Sequence, residues 1–313
     1  MKEKNSNQSF NAMNNLKVEP AEASIGWIGT GIMGAPMAMH LVDAGYRVSV
    51  YSRTKEKAGK LISRGCPWYD SPSAIAEHCN IIFTIVGFPV DVEEVYFGEN
   101  GVLQSLRRDS VAIDMTTTLP GLAVKIDKAC RESGSHAVDA PVSGGEVGAV
   151  NGTLSVMIGG EKEIVEQVMP IIGVFGKNMV YQGPAGSGQH TKMCNQITIA
   201  GTMIGVCEAL VYGRKAGLDL GTMLSSISKG AAGCWTLDVL APKIVARDFE
   251  PGFMVEHFVK DLGIALQEAE LMKLSLPGLA LAKQLYLSVV AMGKGRKGTQ
   301  GLYLALERIS AAG

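Results

Sequence analysis

The 313 residues carry no excess of charge, no cysteine pattern of metal-ligand type and no apolar run of bilayer length, and each absence removes a class of function. With 29 basic against 30 acidic residues the net charge is −1, and no Lys/Arg stripe of the kind that tracks a phosphate backbone is found. Nucleic acid is therefore not an expected partner. The six cysteines, Cys66, Cys79, Cys130, Cys194, Cys207 and Cys234, show no CxxC or similar spacing. That fits reduced, mostly buried thiols in a cytoplasmic protein without a structural metal. The longest apolar stretch, Ile197 to Val211, is interrupted by Thr202 and Glu208 and is too short to span a bilayer as a free helix, so no membrane partner is expected. Residues 1–22 are rich in Asn, Lys and Glu and have neither an apolar h-region nor an arginine. They read as neither a secretory signal nor a transit peptide but as a disordered tail. Internal repeats and other low-complexity tracts are absent.

What is present is a 47% hydrophobic, 19% charged chain, long enough for two cores. From Ser24 onward, β-branched runs ("SIGWIG", "YRVSVY", "NIIFTIVG", "SVAIDM", "HAVDAPV", "LSVMIGG", "NMVYQG") alternate with segments long enough for crossover helices. Continuous apolar strands in that arrangement predict a mostly parallel, doubly wound α/β sheet of Rossmann type over residues 23–186. Its last two strands come close together, as an edge hairpin or antiparallel pair would. After "GPAGSG" the apolar spacing turns to three and four, predicting an all-helical domain over 187–313 for substrate binding and self-association. Its many apolar faces, "GLALAKQLYLSVVAMG" among them, suggest self-association.

Gly29, Gly31 and Gly34 form G-x-G-x-x-G, with Thr30, Ile32 and Met33 between them, directly after the first strand and before a helix that carries Pro36 in its first turn. In that context the glycines permit a tight turn, backbone approach to a pyrophosphate and close helix packing, and the helix N-terminus receives the anion. At the end of the second strand an NAD site usually carries Asp or Glu for the ribose 2′-hydroxyl. This chain has "VYSRTKEK", with Ser52, Arg53 and Thr54 in reach. A guanidinium over a 2′-phosphate favours NADP over NAD, the alternative being that Arg53 is a surface residue.

In "GQHTKMCNQITIAG" the spacing puts Lys192, Asn195 and Gln196 on one helical face, as either a solvated first turn or a site. In "DAPVSGG", Ser143, Gly144 and Gly145 stand at the end of a strand, where open α/β sheets bind ligands, and offer a hydroxyl and bare amides; alone they would equally suit a turn.

Four stretches, "GWIGTGIMGAPMAMHL" (26–41), "DAPVSGGEVGA" (139–149), "GSGQHTKMCNQ" (186–196) and "KDLGIAL" (260–266), in this order and spacing resemble the β-hydroxyacid dehydrogenase family, which includes 3-hydroxyisobutyrate dehydrogenases and semialdehyde reductases. The resemblance covers the chain from about Ile25 onward and favours a homodimer or homotetramer. It implies hydride transfer between a nicotinamide cofactor and a small β-hydroxy acid or its semialdehyde, with Lys192 as the catalytic residue. Such a reaction needs a group that exchanges the hydroxyl proton, and desolvation lowers a lysine pKa toward neutrality. The same resemblance gives Ser143, Gly144, Gly145 and Asn195 the substrate carboxylate. It sets Thr117 of "DMTTTLP" at the nicotinamide, and Lys260, with Val86 and Gly87 at the end of "NIIFTIVG", at the cofactor. Two departures stand out. The second Asn of many members is Gln196 here, which moves a substrate contact by a methylene, and "VGFP" replaces the usual Leu-Pro. The rival readings are a 6-phosphogluconate dehydrogenase-like enzyme, which calls for a larger helical region and a basic pocket, an imine reductase, which typically lacks the lysine, and a non-catalytic NADP-binding regulatory module.

Overall fold

The computed structural model describes residues 16–310, which divide into two compact units with the boundary between Lys192 and Met193. In the first unit β1 (Ser24–Ile28), β2 (Arg47–Tyr51), β3 (Ile81–Thr84), β4 (Val111–Asp114) and β5 (His136–Asp139) run parallel in the order 2-1-3-4-5. The chain leaves β1 toward β2 on one side and returns to β3 on the other, which puts the topological switch between β1 and β3. The expected Rossmann-type sheet is thus present. Strands β3 and β4 are buried at every position because helices cover both faces. These are α1 (Gly34–Asp43), α2 (Gly59–Ser63), α3 (Pro72–His78), α4 (Pro89–Phe97) and α5 (Pro120–Glu132). Local chemistry sets their starts: Ser71 Oγ accepts from Ala74 N at 3.1 Å and Pro72 follows it in the first helical position. Under the sheet, Trp27 stacks on Phe83 with centroids 5.1 Å apart, and Phe175 meets both rings edge-on at 5.9 Å. Such pairs are worth about 0.5–1.5 kcal/mol each beyond their burial.

The sheet continues through β6 (Val142–Ser143), α6 (Gly145–Asn151), β7 (Leu154–Gly160), α7 (Lys162–Ile172) and β8 (Gly176–Gly183). Here one expectation is corrected. The last two strands, β7 and β8, form neither a hairpin nor an antiparallel pair; they lie parallel, with Met157 opposite Val180, and β7 is antiparallel to β5 and β6 instead. The reason is α7, which buries Ile164, Val165, Val168, Ile171 and Ile172 on one face and gives the chain the crossover that a parallel pair requires. A second correction concerns the expected tail. Residues 1–15 lie outside the described residues, but Leu16 and Val18 pack against the main core and the carbonyl of Lys17 accepts from Asn80 Nδ2 at 3.1 Å.

The second unit is helical throughout its described residues, apart from an isolated bridge between Met254 and Gly298. It takes in most of α8 (Ser187–Lys215), then α9 (Leu220–Ile227), α10 (Ala241–Val245) after a π turn, α11 (Val255–Leu271), α12 (Pro277–Ala291) and α13 (Leu302–Ile309). Phe258 and Tyr286 meet edge-on at 5.0 Å in its core. Periodicity anticipated α8, α9, α11 and α12, but not the short α10 or α13; Glu307 on α13 is held by Arg214 at 2.9 Å and Arg247 at 2.7 Å. The helix α8 extends well past the apolar run read from sequence, and by length and hydropathy alone it could cross a bilayer, a test that core helices also pass. Buried Gln189, Lys192 and Gln196 lie along it.

Candidate active site

The G-x-G-x-x-G loop is built around its backbone. Gly29 N donates to Tyr51 O at 2.9 Å and the residue adopts φ +99°, the left-handed region; a Cβ there would lie 2.1 Å from Ile85 O. A Cβ on Gly34 would lie 2.0 Å from Gly29 O, so the helix starts hard against the turn, whereas a Cβ on Gly31 would meet nothing within 4 Å. The three glycines thus provide a turn, an open approach and a close packing, in that order. Thr30 is buried and its hydroxyl has no hydrogen-bond partner, while Ile32 is 52% exposed and Met33 directly precedes α1. An open backbone at the N-terminus of α1 beside an unpartnered hydroxyl fits the pyrophosphate of a dinucleotide.

Beyond β2, Ser52 is buried and Arg53 and Thr54 are exposed. No carboxylate occupies these three positions. Instead Arg53 Nη1 pairs with Asp91 Oδ1 at 2.8 Å, and the other Asp91 oxygen accepts from Phe88 N at 3.0 Å at the start of α4. The acid opposite Arg53 therefore sits on α4, where the sequence offered no signal for it. Val86 and Gly87 follow β3, and Val86 N donates to Thr116 Oγ1 at 3.0 Å, joining this turn to the one after β4.

The proton-transfer side is assembled from the turns after β4, β5 and β6 and the first turn of α8. Ser143 ends β6, and Gly144 and Gly145 take φ +130° and +61° as the chain enters α6. Asp139, at the end of β5, accepts from Gly186 N at 2.8 Å and Gln189 N at 2.9 Å, one oxygen each. Burial raises its pKa, and the backbone N–H groups pull in the other direction without reversing the shift. Gly188 lets α8 come this close: a Cβ on it would lie 2.4 Å from Met157 O and 2.7 Å from Asp139 O. Gln189, fully buried, donates from Nε2 to Thr116 O at 2.7 Å and accepts at Oε1 from Thr118 N at 3.0 Å. Thr117 lies between those two bonded residues and is half-buried. Lys192 follows one helical turn after Gln189 and is only 6% exposed, so its ammonium is not the solvated charge that a first helical turn normally carries.

Within the second unit, Asn195 Nδ2 donates to Gln196 Oε1 at 2.7 Å, and Gln196 Nε2 donates to Asp261 Oδ2 at 2.5 Å. Asp261 Oδ1 pairs with Lys260 at 2.9 Å. The Gln196 amide thus has a partner at each end inside this unit, Asn195 at its oxygen and Asp261 at its nitrogen. Four residues in this constellation escaped the sequence reading: Asp91, Asp139, Gln189 and Asp261. The last three stood inside quoted motifs, but only their neighbours were given roles.

The first unit thus holds a dinucleotide loop at its switch point and a buried lysine on a helix tied to the ends of β4 and β5, features that a nicotinamide-dependent oxidoreductase needs. Residues 24–183 match the family described as the NAD-binding domain of 6-phosphogluconate dehydrogenase, and residues 186–306 match the one described as NAD-binding of NADP-dependent 3-hydroxyisobutyrate dehydrogenase. The chain is 54% identical to the uncharacterized oxidoreductase YkwC of Bacillus subtilis, over 90% of this chain and 97% of that protein. It is 50% identical to the 3-hydroxyisobutyrate dehydrogenase-like 1 protein of Arabidopsis thaliana (94% and 88% covered) and 37% identical to the 2-hydroxy-3-oxopropionate reductase of Escherichia coli (90% and 97%). The structure of 3-hydroxyisobutyrate dehydrogenase from Mycobacterium tuberculosis with L-serine matches with a TM-score of 0.83 at 26% identity, covering 91% of this chain and 99% of that one. The chain belongs to the β-hydroxyacid dehydrogenase family and is an NAD(P)-dependent dehydrogenase or reductase acting on CH–OH groups.

Proposed function

We propose that the protein interconverts a small β-hydroxy acid and its semialdehyde with NADP(H), Lys192 exchanging the proton. The observation that carries this reading is the burial of Lys192, 6% exposed, on a helix tied to the ends of β4 and β5. When bound, the nicotinamide cofactor supplies or accepts the hydride. In the reductive direction Lys192 Nζ gives a proton to the carbonyl oxygen as the carbonyl carbon gains the hydride; in the oxidative direction it takes that proton from the hydroxyl. The Ser143 hydroxyl and the amides of Gly144 and Gly145 offer donors to the substrate carboxylate; within the second unit Asn195, bonded to Gln196, offers its amide to a substrate. Such a carboxylate contact selects acids over plain aldehydes.

For the cofactor, Gly29 to Gly34 take the pyrophosphate, and Val86, Gly87 and Thr117 border the nicotinamide end. The preference for NADP over NAD is supported by Arg53 and by the absence of an acid at Ser52, Arg53 and Thr54. The match of the helical half to a family described as NADP-dependent supports it too. Exposed apolar residues on α11 and α12, such as Leu271 and Leu281, support a homo-oligomer, and the unpaired cysteines support a cytoplasmic location. The test is NADPH and NADH oxidation with glyoxylate and with succinic, methylmalonate and tartronate semialdehydes, for the wild type and Lys192→Ala. Turnover that collapses in the variant is expected; equal turnover in both removes the role of Lys192.

A further inference from the structure

Gln189 is fully buried and is the point at which α8 is fastened to the turn after β4. Its side chain opposes the C=O of Thr116 and the N–H of Thr118 with one donor and one acceptor, the pairing a neighbouring strand would make. The two bonded groups flank Thr117. On the helix side, the backbone N–H of Gln189 is fixed by Asp139 Oδ2 at 2.9 Å, and Gly188 leaves no space for the helix end to shift toward β7. Lys192 lies three residues on, on the same helical face as Gln189. On the turn side, Thr116 is itself tied at both ends, its N–H to Asp114 Oδ1 at 3.0 Å and its hydroxyl to Val86 N. One carboxamide thus joins the segment assigned to the nicotinamide and the helix that carries the proton donor.

We propose that Gln189 is a positioning residue for hydride transfer: by clamping the peptides on both sides of Thr117 it sets the spacing between Thr117 and Lys192. The inference rests on the functional reading above. The reaction needs the hydride-bearing carbon, the carbonyl carbon and the proton donor in register at once, and a misplacement of about 1 Å costs roughly 100-fold in rate. Loss of the clamp also leaves two buried backbone groups without their partner, so the segment relaxes.

The test compares the wild type with Gln189→Met, which keeps length and volume but removes both bonds, and Gln189→Glu, which keeps the acceptor alone. With NADPH and the semialdehyde that the wild type reduces, kcat of Gln189→Met should fall by about 10–100-fold. The KM for NADPH should stay within about threefold and the primary isotope effect from 4-deuterated NADPH should rise, since hydride transfer then limits the rate. In threonine-labelled protein the Thr118 amide should exchange at least about tenfold faster in Gln189→Met than in the wild type. A clamp that is only architectural would lower the melting temperature while kcat and the isotope effect at 25 °C stay at their wild-type values, and that result overturns the proposal. So does an unchanged Thr118 exchange rate. If Gln189→Met fails to fold, Gln189→Glu decides: the Thr118 amide should stay protected while kcat falls, and wild-type kcat overturns the proposal. If the wild type reduces none of the compounds, the functional reading fails by itself. The clamp is then read from bound NADPH, whose nicotinamide fluorescence lifetime should change in Gln189→Met at unchanged affinity; an unchanged lifetime refutes the positioning role.

Discussion

The glycine loop after β1 separates two properties that usually fail together, cofactor affinity and fold stability, because its second and third glycines face different surroundings. At Gly34 a methyl group would lie 2.0 Å from Gly29 O, 2.8 Å from the Ile85 side chain and 3.0 Å from Trp27 Nε1. The first of these neighbours is backbone and Trp27 is fully buried, so neither yields easily. Gly34→Ala should therefore cost about 1–3 kcal/mol or more, as overpacking does. In a unit of this size that lowers the melting temperature by about 2–12 °C. At Gly31 a methyl would meet nothing within 4 Å, and the residue is outside the left-handed region. Gly31→Ala should therefore raise stability by about 0.4–1 kcal/mol through the unfolded chain. That same methyl occupies the space through which the backbone reaches a pyrophosphate. Losing one amide–phosphate hydrogen bond costs about 1.5–3 kcal/mol, which weakens NADPH binding by roughly 10–150-fold. Thermal melts without ligand, set beside NADPH fluorescence titrations of the same samples, measure both quantities. A Gly31→Ala protein that binds NADPH like the wild type, or a Gly34→Ala protein that melts with it, would refute the assignment of roles around this loop.

Three further outcomes are expected. Lys192→Ala should lower kcat by about 10²–10⁴-fold and leave the NADPH Kd within about twofold, as removal of a general acid does; stopped-flow reduction and titration separate the two. Arg53→Ala should weaken NADPH by about 10-fold and NADH hardly at all, and Asp91→Asn, which releases the guanidinium from its ion pair, should shift the NADPH/NADH affinity ratio without abolishing binding; equal losses for both cofactors would remove Arg53 from the 2′-phosphate. Burial pushes the Cys79 and Cys130 thiols up to about 11 and about 12, above the ordinary thiol value of 9.0. Because the folded values are the higher ones, the stability they lend is complete below about pH 9 and is lost as pH rises through 11 and 12. Urea midpoints should therefore fall across that window, and less steeply in Cys130→Ala.

Seven of the eight strands of the first unit were legible because each is a short apolar run bounded by turn residues, and that pattern is local. The relation between β7 and β8 was not. Sixteen residues from Gly160 to Phe175 could be read as a long turn, and only the buried stripe of α7 from Ile164 to Ile172 makes them a crossover. The short helix α10 was missed for a related reason: its five residues make too few turns for a spacing pattern to declare itself. The last part of the expected tail was misjudged because two apolar residues, Leu16 and Val18, are enough to hold an irregular segment against a core once Asn80 bonds the backbone between them.

The candidate site divides in the same way. Gly29, Gly31, Gly34, Ser143 and Lys192 could be singled out because their chemistry is carried by their own atoms: a missing Cβ, a hydroxyl, an amine. The residues that hold them act by reaching something distant in sequence, and no spacing encodes that. Asp91 meets Arg53 from another helix, and Asp139 receives Gly186 and Gln189 from 47 and 50 residues away. Gln196 shows the difference most clearly. Read as a letter, it is an asparagine lengthened by one methylene, and the natural inference is a ligand contact moved outward. In the fold its carboxamide also joins Asn195 to Asp261, 65 residues further along the chain on α11. Replacing Gln196 with Asn would then shorten the link on the Asp261 side first. The consequence expected for Gln196→Asn is a raised KM for the acid substrate with kcat nearly kept, as for a weakened carboxylate contact, whereas a pocket-lining Gln196 would change which chain length of substrate is preferred.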